Sequence, residues 1–218
     1  TYYFKHLITR EVAYQTLLHQ NRKMLHQLTA EAIEAIFPDR IDEFVYSLAE
    51  HYLKAEIADK AKQYLNLAFN QALKLNDSSL ALDLGKSLLT QIDQDDVSTK
   101  YEVLIQLADV DWLIGNWDEA FNKIEEAASL IETNDVRYCE IYKFNGMAAF
   151  YSEEFDSALD EFSKGLDLAT AHNDKLMICV ASSNLGIWYQ HKKDHDKALS
   201  YHMKSLDLAI ELNDHKRQ

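Results

Sequence analysis

The sequence predicts an all-helical (all-α) fold of antiparallel helix pairs stacked into a solenoid. Three observations carry that prediction. The 218 residues include five glycines and one proline, Pro38, far below the usual share of each, which argues against a fold rich in tight turns. Ala, Leu, Glu and Lys abound and β-branched runs are scarce, which favours helix throughout. The third is internal repetition, which decides the architecture wherever it occurs.

Three segments superpose: LADVDWLIGNWDEAFNKIEEAASL, NGMAAFYSEEFDSALDEFSKGLDL and LGIWYQHKKDHDKALSYHMKSLDL. A small residue sets the origin at Ala108, Gly146 and Gly186, spaced 38 and 40 residues apart. Nine residues on stand Trp117, Phe155 and His195; twelve on, Ala120, Ala158 and Ala198; thirteen on, Phe121, Leu159 and Leu199; nineteen on, the small Ala127, Gly165 and Ser205. Each unit closes on Asn-Asp, at Asn134-Asp135, Asn173-Asp174 and Asn213-Asp214. Each unit reads as two amphipathic helices joined by a short turn. The small residue of the first helix admits the second helix closely, the alanine of the second receives that contact, and the aromatic at the turn covers the end of the pair. Asn-Asp then stops one helix and caps the next, since both residues tolerate left-handed geometry and cap well. One pair cannot bury its apolar face alone, so pairs must stack.

This order of small, aromatic, alanine, aromatic and small residues resembles the tetratricopeptide repeat (TPR), in its longer subtype of about 40 residues, as in bacterial regulators and eukaryotic cargo or polarity adaptors. The resemblance covers residues 97–214 and implies a right-handed TPR-like α-α superhelix that holds a partner on its inner face. The chain departs from the family pattern in lacking the closing proline, in Ala108 standing for a glycine, and in Ile124 and His202 standing where Phe162 keeps the usual aromatic.

Upstream, two registers compete. Ala49, Tyr52, Ala61, Leu65, Ala68 and Asn76-Asp77 fit one unit; Phe69, Ala72, Ala81, Gly85 and Leu88 fit another. Helices are expected at 42–55, 59–76 and 79–92 with an off-phase half-repeat among them, and Gln91–Asp96 as a polar connector. That connector lacks the glycine and closing glutamate of a Ca²⁺ loop. Residues 3–37 differ again. A short strand entering a Thr9-capped helix is expected there, and Tyr3–Leu18 resembles the end of the winged-helix element that follows the ATPase core of STAND-type signalling NTPases. Such modules are fused to cyclases, kinases or transcription regulators. The expected organisation is therefore a junction with an upstream module at 1–37, irregular TPR-like helices at 38–96, and three TPR-type repeats at 97–218. The chain begins with Thr1 and ends in Asp214–Gln218, which reads as the start of a further helix, so it is read as an excised fragment of a longer protein.

Composition narrows the function. With 47% hydrophobic residues the chain is no disordered tail. A net charge of −14 argues against nucleic acid and anionic membranes as partners, and is read as a solvated acidic surface. Two cysteines, Cys139 and Cys179, make no disulfide framework and fit a reducing cytoplasm. No apolar run reaches the roughly 20 residues of a membrane span.

Nothing recommends catalysis. There is no G-x-x-x-x-G-K-[ST] loop, no G-x-S-x-G elbow and no H-E-x-x-H, and the glycines never cluster into a phosphate nest. His191 and His195 are four apart, but the interhelix turn falls between them. His19 and His26 are seven apart with no third ligand. The two cysteines are repeat-equivalent, which points to packing, and neither has a histidine base nearby. No cofactor or metal is expected, and the chain is read as no enzyme. The better candidates face inward from the first helix of each pair: Asp109 and Trp112; Lys143, Met147 and Phe150; Ser183, Ile187, Gln190 and His191; with Asn184 beside them. Aromatic, Met, amide and charged groups suit a docked peptide or helix, although Trp112 and Phe150 also fit an inter-repeat core. The recurring Lys and Asn positions that clamp a terminal carboxylate in chaperone-binding TPRs are missing. The expected function is a protein-interaction or regulatory module of a larger cytoplasmic signalling protein, whose partner is a peptide or its own upstream NTPase module. The alternative is a small-molecule effector-sensing domain with its ligand near Trp112 and Met147. An exposed last helix invites stacking on another copy.

Overall fold

The computed structural model describes residues 12 and 14–215. The element expected at 3–18 lies outside them, apart from Val12 and residues 14–18. Among the described residues there are ten α-helices and no strand: α1 His19–Ile36, α2 Val45–Ala55, α3 Ala58–Lys74, α4 Ser78–Leu89, α5 Val97–Leu113, α6 Trp117–Ser129, α7 Tyr138–Tyr151, α8 Phe155–Ala171, α9 Lys175–His191 and α10 His195–His215. The all-α prediction holds. The chain forms two compact units, one through Trp117 and one from Asp118.

In the first unit each helix packs on its neighbours in sequence, α1 on α2 through to α5. Pro38 starts a 3-10 segment, Pro38–Glu43, where its missing N–H costs nothing, and the Phe37 and Phe44 rings stack across it at 4.7 Å. Helix α2 therefore begins at Val45, three residues later than expected. It ends on Glu56 in the left-handed conformation (φ 58°), with the Ile57 N–H donating to the Tyr52 carbonyl. Asn76 repeats that geometry (φ 55°), and the Asp77 carboxylate accepts from the Leu80 N–H to cap α4. Asn76-Asp77 thus closes the α2/α3 pair and settles the register. Helix α4 is the off-phase element. It ends at Leu89, the polar connector follows, and Asp96 caps α5 through the Thr99 N–H. Gly85 explains why both registers are legible. A Cβ added there would lie 2.6 Å from Leu107 Cδ2 and 3.0 Å from the Phe69 ring, so α4 is squeezed between α3 and α5.

Two polar nodes fasten α1. Glu34 accepts hydrogen bonds from Tyr52 and Tyr64, whose rings stack at 5.5 Å, and from Lys60 at 2.7 Å. Burial pushes the Glu34 carboxyl up, but the donors Lys60, Tyr64 and Tyr52 outweigh it and hold the group below its ordinary range. On another side Tyr14 Oη lies 2.9 Å from His26 Nε2, and His26 Nδ1 lies 2.8 Å from His51 Nδ1. Two neutral rings satisfy this chain, with Tyr14 donating to His26 and His26 donating to His51. Burial first, then His51 and Lys54, lowers His26 against a pull from Glu50; burial and Lys54 lower His51, again against Glu50.

In the second unit α7, α8, α9 and α10 pack in succession, and α9 also meets α7. Glu153, Asn173 and Lys193 end α7, α8 and α9 in the left-handed conformation (φ 63°, 54° and 62°). At each, the next N–H donates five residues back, to Ala149, Ala169 and Tyr189. Asp174 caps α9 through the Met177 N–H. The other two Asn-Asp pairs correct the expectation. Helix α6 stops at Ser129, and the Asp135 carboxylate is taken by the Arg137 backbone and guanidinium, so Asn134-Asp135 lies in a turn that caps nothing. Asn213-Asp214 lies inside α10, which runs unbroken to His215, so no new helix starts at 214 among the described residues.

The packing of each pair is also corrected. The side chain nearest the glycine of the first helix is the bulky one sixteen residues on. A Cβ on Gly146 would fall 2.4 Å from the Phe162 ring, and one on Gly186 would fall 2.5 Å from the His202 ring. Alanine stays buried at Ala158 and Ala198 because its position also faces the core. The small residue nineteen on has another role. The buried Cys139 thiol donates to the Gly165 carbonyl (3.4 Å) and the Cys179 thiol to the Ser205 carbonyl (3.2 Å), the same bond one repeat apart. Of the three turn aromatics, Trp117 and His195 are exposed and Phe155 alone covers its pair, since its ring packs on Phe150 and His191.

Two tests follow from these contacts. Gly146→Ala should lower unfolding stability, because overpacking against the buried Phe162 ring costs about 1–3 kcal/mol and exceeds the helix-propensity gain of about 1 kcal/mol. Gly165→Ala, whose Cβ meets Tyr142 Cβ at 3.4 Å and the Cys139 carbonyl at 3.9 Å, both ordinary contacts, should raise it by about 0.5–1 kcal/mol. Urea unfolding followed by circular dichroism separates the two signs. A group whose folded pKa is depressed is destabilised as pH falls from its unfolded value, here 6.5, through the folded one. The melting temperature should therefore drop as pH falls below about 6.5, before Glu34 titrates, and His51→Gln should flatten that drop.

Candidate partner-binding face

The nine inward-facing candidates divide between the two units. Asp109 and Trp112 lie on α5 in the first. Asp109 is exposed and lines a cleft of about 260 Å³ with Gln106, Leu113 and the Asn76–Ser78 turn; Trp112 is half-buried and does not enter it. The other seven lie on α7 and α9, with Asn184 beside them; of these Ser183 is half-buried on α9.

Those seven do not form a uniform row. Met147 and Phe150 pack against the core that Ala158, Phe162, Leu185 and Trp188 make, so these two belong largely to inter-repeat packing. Lys143 is half-buried, with its ammonium 2.6 Å from Glu140 and 4.4 Å above the Phe144 ring. Asn184 faces Lys143 across a narrow cleft between α7 and α9, closed below by Phe162 and Gly165 and flanked by Met177. The Asn184 amide nitrogen is buried and has no acceptor among the described residues. Ile187 and Gln190 stand on the open side of α9, with Ile187 48% exposed.

His191 is exposed but committed. Its ring stacks on Phe155 at 4.4 Å and meets Phe150 edge-on at 5.3 Å. Around it lies a cluster that inward-face counting missed. The Trp188 indole donates to the Phe155 carbonyl at 2.7 Å, and the Lys192 ammonium sits 4.4 Å over Phe155 and 5.4 Å from Trp188. The signal was present as Trp188 and Lys192, four apart and therefore on one helix side.

Burial, then Asp174 and Glu140, pushes the Cys139 thiol up to about 11, so it carries no reactive thiolate at neutral pH. Both cysteines are free. Among the described residues no three His, Cys, Asp or Glu side chains gather to hold a metal ion, and no helix is long and apolar enough to cross a membrane.

No family model matches the chain. It is 29% identical over 93 residues to the photosystem I assembly protein Ycf3 of Acaryochloris marina, covering 42% of this chain and 54% of that one. It is 35% identical over 68 residues to the 43 kDa receptor-associated protein of the synapse of Tetronarce californica, covering 31% and 15%. The chain thus spans about half of the first relative and a small part of the second. Among solved structures it is similar to BtubC of P. vanneervenii (TM-score 0.54, 14% identity, 88% of this chain and 74% of that one). It is similar also to two MamA structures, at TM-score 0.53 for each, with 17% and 18% identity and coverage of 90% and 88% of this chain and 99% and 94% of theirs. With the helix pairs, left-handed turns and repeated glycine contacts above, these likenesses establish a TPR-like, all-α helical-repeat fold.

Proposed function

We propose that the chain is a protein-interaction module that binds an extended or helical peptide segment along the open sides of α7 and α9. The observation that carries this reading is Asn184. A buried amide donor without an acceptor is costly, so a shift of the Asn184 side chain toward a backbone carbonyl or carboxylate laid over the cleft is favoured. Lys143, half-buried beside it and ion-paired with Glu140, lines the same cleft, and the half-exposed Ile187 supplies an apolar anchor one turn away. The names of the two relatives, an assembly protein and a receptor-associated protein, favour the same reading.

Two finer points belong to the proposal. The bound segment is a neighbouring domain of a larger signalling protein, in keeping with the likeness of Tyr3–Leu18 to a STAND-type junction, and the free thiols suit a reducing, cytoplasmic setting. The small-molecule alternative is weaker. Met147, near which its ligand was expected, packs against the core, and Trp112 lies in the first unit and does not line the α5 cleft.

Selection of binders from a random displayed-peptide library, followed by calorimetric titration, tests the reading. Asn184→Ala and Ile187→Arg should each weaken the selected peptide at least about tenfold, near 1.4 kcal/mol, with the thermal melt unchanged. A library that yields no binder, or a binder indifferent to both substitutions, would contradict it.

A further inference from the structure

Helix α1 is fastened differently along its two halves. The C-terminal half buries Ala30, packs Ile33 on the core and ties Glu34 to Tyr52, Tyr64 and Lys60. The N-terminal half buries no side chain fully, and Met24, Leu25 and Leu28 are each about half exposed. What joins that half to α2 and its end is polar: the chain Tyr14–His26–His51, and Glu56 with His19 and Lys23. The Glu56 pairs are largely exposed, a kind that contributes little stability. The histidine pair is therefore the main fastening of the N-terminal half.

Proton count decides what that pair can do. The two Nδ1 atoms lie 2.8 Å apart, so one proton fits between them and two do not. With one ring charged the contact survives, because His26 as imidazolium donates from both nitrogens, to Tyr14 and to His51. With both rings charged, N–H faces N–H and two positive charges meet at hydrogen-bond distance. The neighbours do not offset this. Arg22 lies over the Tyr14 ring at 5.4 Å, and Lys54 acts on both histidines. Glu50, the carboxylate that faces them, is taken by Lys54 at 2.6 Å.

Apart from each other, the rings take a proton each near their ordinary value of 6.5. The parted arrangement then binds more protons than the closed one and gains on it as pH falls. Glu34, held low by its donors, keeps its charge and its bonds through that range. We propose that His26 and His51 form a proton-operated latch, in which acidification parts the N-terminal half of α1 from α2 while the Glu34 node holds the rest of the helix in place. Once released, so short a segment is marginal as an isolated helix and loses its own backbone hydrogen bonds.

Hydrogen exchange of the full chain, read by mass spectrometry at about pH 7.5 and about pH 5 and corrected for intrinsic rates, tests this. Protection across 22–28 should fall at least about tenfold at the lower pH, while protection across 31–36 holds. His51→Gln and His26→Gln should each abolish the loss, because an amide offers a donor and an acceptor and so bonds the remaining ring in either charge state. Equal protection at the two pH values, or a loss that runs evenly to Ile36, would overturn the proposal. So would a loss that persists in whichever Gln variant keeps its helical content.

Discussion

Where two helices of a pair cross, a bulky side chain lies flat on a position that has no side chain. Phe162 covers Gly146, His202 covers Gly186, and in the first unit Leu107 and Phe69 close on Gly85. A helical glycine costs roughly 1 kcal/mol against alanine, so its presence at three such points calls for a return. The return is approach distance. With no Cβ in the way a ring can rest on the backbone of the neighbouring helix, which brings the two axes close and aligns the residues above and below the contact. The thiol bonds to the carbonyls of Gly165 and Ser205, and the seating of Ala158 and Ala198, depend on that approach.

The turns make the pairing repeatable. Five non-glycine residues adopt left-handed backbone among the described residues: Glu56, Asn76, Glu153, Asn173 and Lys193. Each terminates a helix with a bond from the following N–H five residues back. Three of the five are Glu or Lys, which have no special tolerance for that geometry, so the packing of the helices on either side holds them there. Tertiary contact decides the turn, and local preference is secondary.

This balance explains which features were legible in the sequence. The helices, their pairing and the period were readable because Gly146, Gly186 and the alanines recur at fixed spacing. The stop-and-cap reading of Asn-Asp holds at 76–77 and 173–174, where a helix starts at once behind the aspartate. It fails at 134–135, because Arg137 is close enough to claim Asp135, a competition that a dipeptide pattern does not display. The nearest partner of each glycine is hard to read because alanine is constant across the three segments, whereas Ile124, Phe162 and His202 differ in chemistry while sharing one place. The binding face was legible only in part. Helical periodicity puts Met147, Phe150 and Ile187 on one side, but whether a side chain on that side is covered depends on the next helix. That helix takes Met147 and Phe150 into the core and leaves Ile187 in solvent.

The buried amide of Asn184 and the turn cluster of Phe155, Trp188, His191 and Lys192 sit on helices whose spacing depends on the Gly146 and Gly186 contacts. The most direct measurement of that dependence is a double-mutant cycle on Gly186 and His202, read as unfolding free energy. The account predicts that Gly186→Ala and His202→Ala each destabilise, and that the double variant loses at least about 1 kcal/mol less than the two losses combined, because the added methyl enters the space the ring vacates. Losses that simply add would contradict it and would place the alignment of the repeats elsewhere.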